Sequence, residues 1–144
     1  MEIKQQLGVY LQLLKNREDL HAALHQKLHE HETRLGLPAQ FPDARSRFID
    51  LIQRVHAQAG QLAVVLIDEY DKPILDNITD TPTATDMREG LKNLYSVLKG
   101  ADEHLKFVFI TGITKFTQIS LFSVLNNLSN ISFDPPYAAI CGIT

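Results

Sequence analysis

The sequence predicts an α/β domain in which a parallel sheet follows a helical N-terminal segment. Apolar residues recur at helical spacing through residues 1–60. Two short β-prone runs, residues 62–67 and 105–110, have the composition of strands. The first run is continuously apolar, which is typical of a strand that is buried on both faces. A segment of helical periodicity separates the two runs. This strand–helix–strand unit predicts parallel strands joined by a right-handed crossover.

The composition is that of one ordinary globular domain. Of the 144 residues, 44% are hydrophobic and 22% are charged, and the net charge is −3. A chain of this charge lacks the positive field that duplex nucleic acid requires, so we expect no direct nucleic-acid binding. The longest apolar run is too short to span a bilayer, and the N-terminus lacks the pattern of a signal peptide. A single cysteine, Cys141, excludes a disulfide framework, and we expect a cytoplasmic protein without membrane contact.

Three helices are predicted in the segment 1–60. The first covers residues 1–16, where apolar residues share one helical face. The second begins after the cap residue Asn16 and ends at Gly36. The third begins near Asp43 and ends at Gly60. The apolar face of the first helix consists of Ile3, Leu7, Leu11 and Leu14.

The second of these helices carries several histidines on one face. His21, His25 and His29 recur every four residues, a spacing that zinc sites often use. No cysteine or carboxylate at ligand spacing completes such a site. A solvated helix face and a metal-binding face therefore both remain open.

The remaining segment, residues 61–144, is predicted to alternate strands and helices. Its acidic and Thr-rich stretch between the first strand and the next helix is typical of a loop. Gly100 ends that helix, and the C-terminal tail is irregular. The predicted elements are a strand at 62–67, a loop at 77–85, a helix at 85–99, a strand at 105–110 and a helix at 121–128.

Polar residues follow both strands at the carboxyl edge of the predicted sheet, where open parallel sheets bind ligands. Asp68 and Glu69 come directly after the first strand, and Thr111 follows the second. An apolar strand that runs into two adjacent acids is the Walker B arrangement of P-loop nucleotide hydrolases. Its first acid holds the Mg²⁺ that bridges the nucleotide phosphates, and its second acid orients and deprotonates the attacking water. Thr111 has the position of a residue that senses the γ-phosphate. The alternatives are solvated acids at a strand end and ordinary turn chemistry beside Gly112.

Longer strings of the sequence support this interpretation. They are VLIDEYDKPIL at 65–75, LYSVLK at 94–99, FITGITKF at 109–116, LNNL at 125–128 and YAAICG at 137–142. Together they resemble the bacterial AAA-ATPase-like family, whose nucleotide-binding domain usually precedes a PD-(D/E)XK nuclease-type domain. The resemblance extends from Phe48 to Thr144 and is weaker over the two upstream helices.

The resemblance implies ATP and Mg²⁺ as cofactors and assigns roles to individual residues. Asp68 corresponds to the Mg²⁺ ligand, Glu69 to the catalytic acid that activates water, and Thr111 to the sensor. Three further residues match the family pattern and are assigned to the nucleotide-binding set: Asp71, Thr114 and Lys115.

The sequence departs from the family in one respect. P-loop ATPases cradle the phosphates with a Gly-x-x-x-x-Gly-Lys-Ser/Thr loop, and none of the seven glycines here is followed by lysine. We therefore interpret residues 1–144 as part of an AAA-ATPase-like domain, with a helical segment at 1–60 and the Walker B and sensor part at 61–144. The sheet would be an incomplete P-loop-type sheet, and the chain the middle of a longer protein.

This interpretation carries expectations about activity and partners. The parent protein would bind and hydrolyse ATP with Mg²⁺, whereas this chain alone would be inactive. The alternative is a non-catalytic remnant or a protein-interaction module. A C-terminal nuclease-like domain is the expected partner in the parent protein. Strand 105–110 would form an exposed apolar edge, which favours self-association.

Overall fold

The computed structural model describes residues 2–6, 16–113, 121, 123, 125 and 128–140. Within these ranges the fold is α/β, with helices packed on a parallel sheet of three strands in the order β1-β2-β3. Short 3₁₀ turns lie at Asp102–His104 and Pro135–Tyr137. The other elements are β1 (Glu2–Gln6), α1 (Arg17–Leu35), α2 (Ala44–Ala59), β2 (Ala63–Asp68), α3 (Lys72–Leu75), α4 (Thr81–Tyr95), α5 (Val97–Gly100) and β3 (Leu105–Ile110).

The first residues form a strand and not the start of a helix, so the prediction of a helix over 1–16 is wrong at residues 2–6. β1 runs parallel to β2, with Glu2 opposite Val64 and Gln6 opposite Asp68. The free edge of β2 offers the backbone of β1 a ladder of hydrogen-bond partners, and this tertiary pairing overrides the helical spacing that begins at Ile3. Residues 1 and 7–15 of the predicted helix lie outside the described ranges.

The next two helices confirm their predicted capping signals. The Asn16 side chain accepts a hydrogen bond from the backbone of Asp19 at 2.9 Å, which starts α1. Asp43 starts α2 in the same way. Gly36 and Gly60 end the two helices in the left-handed conformation, with φ of +67° and +63°.

α4 begins four residues earlier than predicted. The Asp80 side chain accepts a hydrogen bond from Thr83 N at 3.2 Å, and Pro82 lies in the first turn. The Thr- and Pro-rich stretch is therefore largely a helix start, because proline is tolerated where no intrahelical N–H bond is required. The helix also ends earlier, at Tyr95, and the short α5 follows.

The prediction of a helix over 121–128 is wrong at Leu125 and Leu128. Leu121 is helical and Ser123 lies in a turn, but Leu125 and Leu128 lie outside any helix. Leu121 and Leu125 are nevertheless both buried in the core. Their spacing of four residues therefore reflects burial and does not require a continuous helix.

The hydrophobic core lies between one face of the sheet and the helices. Alternate residues of β2 are buried there, and Val64 and Leu66 on the opposite face are half-buried, so the prediction of a strand buried on both faces holds for one face only. β3 pairs with β2 as predicted, in parallel. None of the helices in the described ranges combines the length and apolar character needed to cross a bilayer. The sheet and helices contribute Ala63, Val65, Ile67, Phe48, Leu51, Met87 and Leu91 to this core.

Candidate functional site

The carboxyl ends of β2 and β3 lie side by side and bring the segment after each strand into contact. Ile67 is opposite Ile110 in the sheet register. One residue further on, Thr111 N donates to the carbonyl oxygen of Ile67 at 2.8 Å, and Tyr70 N donates to the carbonyl oxygen of Thr111 at 3.0 Å. The backbone of Thr111 is therefore bonded to both sides of the turn that follows β2.

The Thr111 hydroxyl lies between the two acids. It donates a hydrogen bond to Oδ1 of Asp68 and accepts one from the backbone N–H of Glu69 at 3.1 Å. Asp68 is exposed, whereas Glu69 and Thr111 are half-buried. The three residues thus meet at the carboxyl edge of a parallel sheet, which is where such sheets bind ligands.

Glu69 has an unusual backbone conformation. Its φ is +53°, and among the non-glycine residues that the structure describes it is the one with positive φ. A residue with a side chain pays about 1–3 kcal/mol for such a conformation, which persists only where surrounding contacts enforce it. The bonds from Glu69 N and Tyr70 N to Thr111 are contacts of this kind. The turn therefore depends on the neighbouring strand.

Asp71 lies beneath the loop that follows β3. Its side chain is 1% exposed, and its Oδ2 accepts a hydrogen bond from the backbone N–H of Ile113 at 2.9 Å. Burial raises the pKa of the neighbouring Tyr95 hydroxyl, and the negative charge of Asp71 raises it further. The carboxylate of Asp71 is therefore part of the protein interior at this position.

Gly112 permits this close approach. A Cβ atom at Gly112 would lie 2.1 Å from Cε1 of Tyr70, well inside van der Waals contact. With the bonds described above, each of five consecutive residues is hydrogen-bonded to Thr111 or Ile113. These residues are Ile67, Asp68, Glu69, Tyr70 and Asp71.

The histidines of α1 do not join this group. Thr114 and Lys115 lie outside the described ranges. On α1, His21 and His29 are exposed, and Nδ1 of His25 is 2.7 Å from a guanidinium nitrogen of Arg47. Among the described residues, no three His, Cys, Asp or Glu side chains form a group able to hold a metal ion. The histidines of α1 therefore belong to no such group among the described residues.

Mg²⁺ fits the oxygen atoms at the ends of the strands. Mg²⁺ prefers hard oxygen ligands and is usually held by one or two carboxylates together with water and substrate phosphates. The exposed carboxylate of Asp68 and the adjacent Thr111 hydroxyl are oxygen donors of this type. A site of this kind needs no cluster of three acidic side chains from the protein.

Sequence reasoning missed the contribution of Gly112 and of the Ile113 N–H. The local signal for this contribution is that Gly112 directly follows Thr111, since glycine and threonine are both common in turns. Their role becomes visible only when Tyr70 and Asp71 are placed against them.

One comparison with known proteins identifies a family. A family model described as "Predicted AAA-ATPase" matches residues 7–122, which include both loops of the site. A curated protein of Azotobacter chroococcum mcd 1, described as an uncharacterized protein in the vnfD 5' region, is 46% identical over 132 residues. The alignment covers 92% of this chain and 26% of that relative, so the chain spans about a quarter of the relative's length. No solved structure matches the chain.

Proposed function

The chain belongs to the predicted AAA-ATPase family, and on that premise we propose that the ends of β2 and β3 form the Walker B and sensor part of an ATP·Mg²⁺ site. The supporting observation is the Thr111 hydroxyl, which is bonded to both Asp68 and Glu69. It joins an exposed carboxylate to the backbone N–H of a second acidic residue, at the edge where parallel sheets bind ligands. The single cysteine of the chain is compatible with a reducing compartment, and we propose the cytoplasm.

In this proposal Asp68 holds the metal. Its carboxylate is exposed at the end of the central strand, and the bond from Thr111 to Oδ1 fixes its orientation. Bound Mg²⁺ supplies charge neutralisation between the nucleotide phosphates. A rigid strand end is suited to this task because the metal demands nearly ideal geometry.

Glu69 is the proposed acid that orients and deprotonates the attacking water. Its strained backbone is anchored by the bond from its own N–H to Thr111, which limits the positions that the side chain can reach. Strain of this kind is often found where a functional side chain must be held in one place.

Thr111 is the proposed sensor, and its chemistry limits how it can act. A threonine hydroxyl has a single proton to donate, and here Asp68 accepts it. The hydroxyl must therefore release Asp68 before it donates to a phosphate oxygen. In nucleotide sensing, a phosphate oxygen would replace the Asp68 carboxylate as the acceptor of the Thr111 hydroxyl proton.

The roles of the two acids are separable in a longer protein that carries a phosphate-binding loop. We expect Asp68→Ala to weaken Mg²⁺-dependent nucleotide binding, because the metal loses its protein ligand. Glu69→Gln should retain binding and lose hydrolysis, because the base is removed and the metal ligand remains. Asp76→Ala is a matched control, since the Asp76 carboxylate is paired with Lys72 at 2.8 Å. Equal loss of binding in both site variants would contradict this division of roles.

The 144-residue chain allows a test of the metal position alone. Mn²⁺ can replace Mg²⁺ at oxygen ligands, and it broadens the NMR signals of nearby amides. We expect broadening to centre on the amides of Asp68, Glu69 and Thr111. Asp68→Asn should remove it and Asp76→Asn should preserve it. Broadening that is unaffected by Asp68→Asn would place the metal elsewhere.

A second candidate is a non-catalytic remnant or interaction module that retains the fold. It is favoured by one observation: no glycine of this sequence is followed by the lysine that a phosphate-binding loop requires. Binding of a fluorescent ATP analogue to a longer form of the protein separates the two candidates, since a remnant would not bind it. A C-terminal nuclease-type domain is the partner proposed for the ATPase, and direct nucleic-acid binding by this acidic chain is not part of the proposal.

A further inference from the structure

We propose that Asp71 is a positioning residue, which holds the loop of residues 111–113 so that the Thr111 hydroxyl reaches both Asp68 and Glu69. This inference rests on the proposed function for its significance, because those two acids are the metal ligand and the base of that proposal. The hydrogen bonds on which it depends all join residues that the structure describes. Asp71 would act through Thr111 and would touch neither the metal nor the nucleotide.

The Asp71 carboxylate is buried. A carboxylate is costly to remove from water unless polar groups of the protein replace its hydration. Asp71 is 1% exposed, and Ile113 N donates to its Oδ2 at 2.9 Å. The neighbouring residues Asp68 and Glu69 are more exposed. Within one acidic segment, Asp71 is thus the carboxylate that faces the protein and not the solvent.

The Asp71 side chain does not make the capping hydrogen bond that is typical of its position. It occupies the N-cap of α3, and its carbonyl oxygen accepts from Ile74 N at 3.0 Å. An aspartate at this position normally caps the helix with its side chain, but here the side chain makes no such bond. It bonds instead to Ile113, which is 42 residues away. The three longer capped helices do use the side chain of the cap residue, namely Asn16, Asp43 and Asp80.

The hydrogen bond between Ile113 and Asp71 lies at the far end of the loop 111–113. Ile113 is two residues beyond Thr111, and Gly112 lies between them with the Tyr70 ring against it. Glycine restricts the backbone less than any other residue, so the loop requires an anchor on its far side. The bond to Asp71 supplies that anchor, while the backbone bonds of Thr111 hold the near side. The two anchors together fix the backbone of residues 111–113, and with it the direction of the Thr111 side chain toward Asp68 and Glu69.

Amide hydrogen exchange of the complete 144-residue chain tests this role. In Asp71→Ala we expect the amides of Ile113 and Glu69 to exchange about tenfold faster, the effect of losing one buried hydrogen bond and the bond that depends on it. The amides of the β2–β3 ladder should keep their rates. Asp76→Ala is the control, because it removes a carboxylate from the same segment without touching the loop.

The conservative variant Asp71→Asn distinguishes positioning from general stabilisation and remains informative if Asp71→Ala does not fold. Its side-chain oxygen can still accept from Ile113 N, so exchange at Glu69 should remain within about twofold of the unmodified chain. Broadening by Mn²⁺ at Asp68 should also persist, since the lost charge is not a metal ligand. Loss of that broadening with intact protection would make Asp71 a ligand and overturn the proposal.

Two further outcomes are decisive. Unchanged exchange at Glu69 in Asp71→Ala would show that the loop does not depend on this carboxylate. Acceleration of all sheet amides together would show a general structural role, which also contradicts the proposal. If Mn²⁺ produces no broadening near Asp68 even in the unmodified chain, the proposed metal site fails, whereas the exchange rates still decide the role of Asp71.

Discussion

Replacing Gly112 with alanine tests whether the loop after β3 is pressed against the turn after β2. An added Cβ would lie 2.1 Å from Cε1 and 2.4 Å from Cδ1 of Tyr70, and 3.0 Å from Oδ1 of Asp71. Distances under 3.0 Å are essentially absent from real Cβ contacts, so the ring or the loop must move. The Tyr70 side chain is 4% exposed and belongs to the core, so the ring cannot turn aside into solvent.

The expected loss of stability follows from these contacts. Inserting a methyl group into a packed region costs about 1–3 kcal/mol. Movement of the loop also weakens hydrogen bonds of Thr111 or Ile113, which contribute about 0.5–1.5 kcal/mol each. We therefore expect Gly112→Ala to lower the free energy of unfolding by about 2–4 kcal/mol. This is a large fraction of the ~5–15 kcal/mol that is typical of a domain.

Gly100→Ala provides a matched control with the same chemical change. A Cβ at Gly100 would lie 3.8 Å from Cδ1 of Ile49, an ordinary van der Waals contact. Because Gly100 is the last residue of α5, alanine there should be neutral or should stabilise by about 1 kcal/mol.

Urea unfolding followed by circular dichroism compares the two variants with the unmodified chain. A lower midpoint with an unchanged slope identifies a loss of native-state stability. If Gly112→Ala unfolds within about 0.5 kcal/mol of the unmodified chain, the close contact between the loops is refuted.

Three further predictions concern pH, association and activity. Burial, and then the charge of Arg47, lowers the pKa of His25, so its contribution to stability is complete above about pH 6.5 and is lost as pH falls toward the lower folded-state pKa. Between about pH 8 and pH 5, the urea midpoint should therefore fall less for His25→Gln than for the exposed control His29→Gln. An equal fall of the midpoint in the two variants would contradict this. Phe107 on β3 is 54% exposed, so we expect the chain to associate through this edge as its concentration rises. Phe107→Lys should reduce the concentration-dependent increase in mass that light scattering measures. If the unmodified chain is a monodisperse monomer at all concentrations, the expectation of edge association is wrong. The 144-residue chain should release phosphate from ATP no faster than its Glu69→Gln variant, because its sequence lacks the phosphate cradle, and a rate that depends on Glu69 would contradict this.

Local signals in the sequence were sufficient for α1, α2 and the two strands β2 and β3. Asn16 caps the helix that it was expected to cap, and α2 starts at Asp43 as expected, because a capping side chain reaches only three residues along the chain. The β-prone runs at 62–67 and 105–110 correspond to β2 and β3, whose parallel pairing follows from the helix between them. That pairing alone brings Asp68 and Thr111 to the same edge of the sheet.

Local signals failed where the partner of a residue is distant in the sequence. Residues 2–6 pair with β2, about 60 residues away, and this pairing overrides a helical pattern of spacing. The Thr-Pro stretch at 81–85 shows a different failure, since the same residue types favour both loops and first helical turns. The cap residue Asp80 decides between them.

The sequence by itself determined the fold class, the strand ends that carry Asp68, Glu69 and Thr111, and the resemblance that the family match confirms. Only the tertiary structure decided how those ends are held together. The Asp71 carboxylate faces Ile113 and the Tyr70 ring occupies the space that a side chain at Gly112 would fill. The physical reason is range: periodicity and capping operate over a few residues, whereas these contacts join segments about 42 residues apart through the packing of two neighbouring strands.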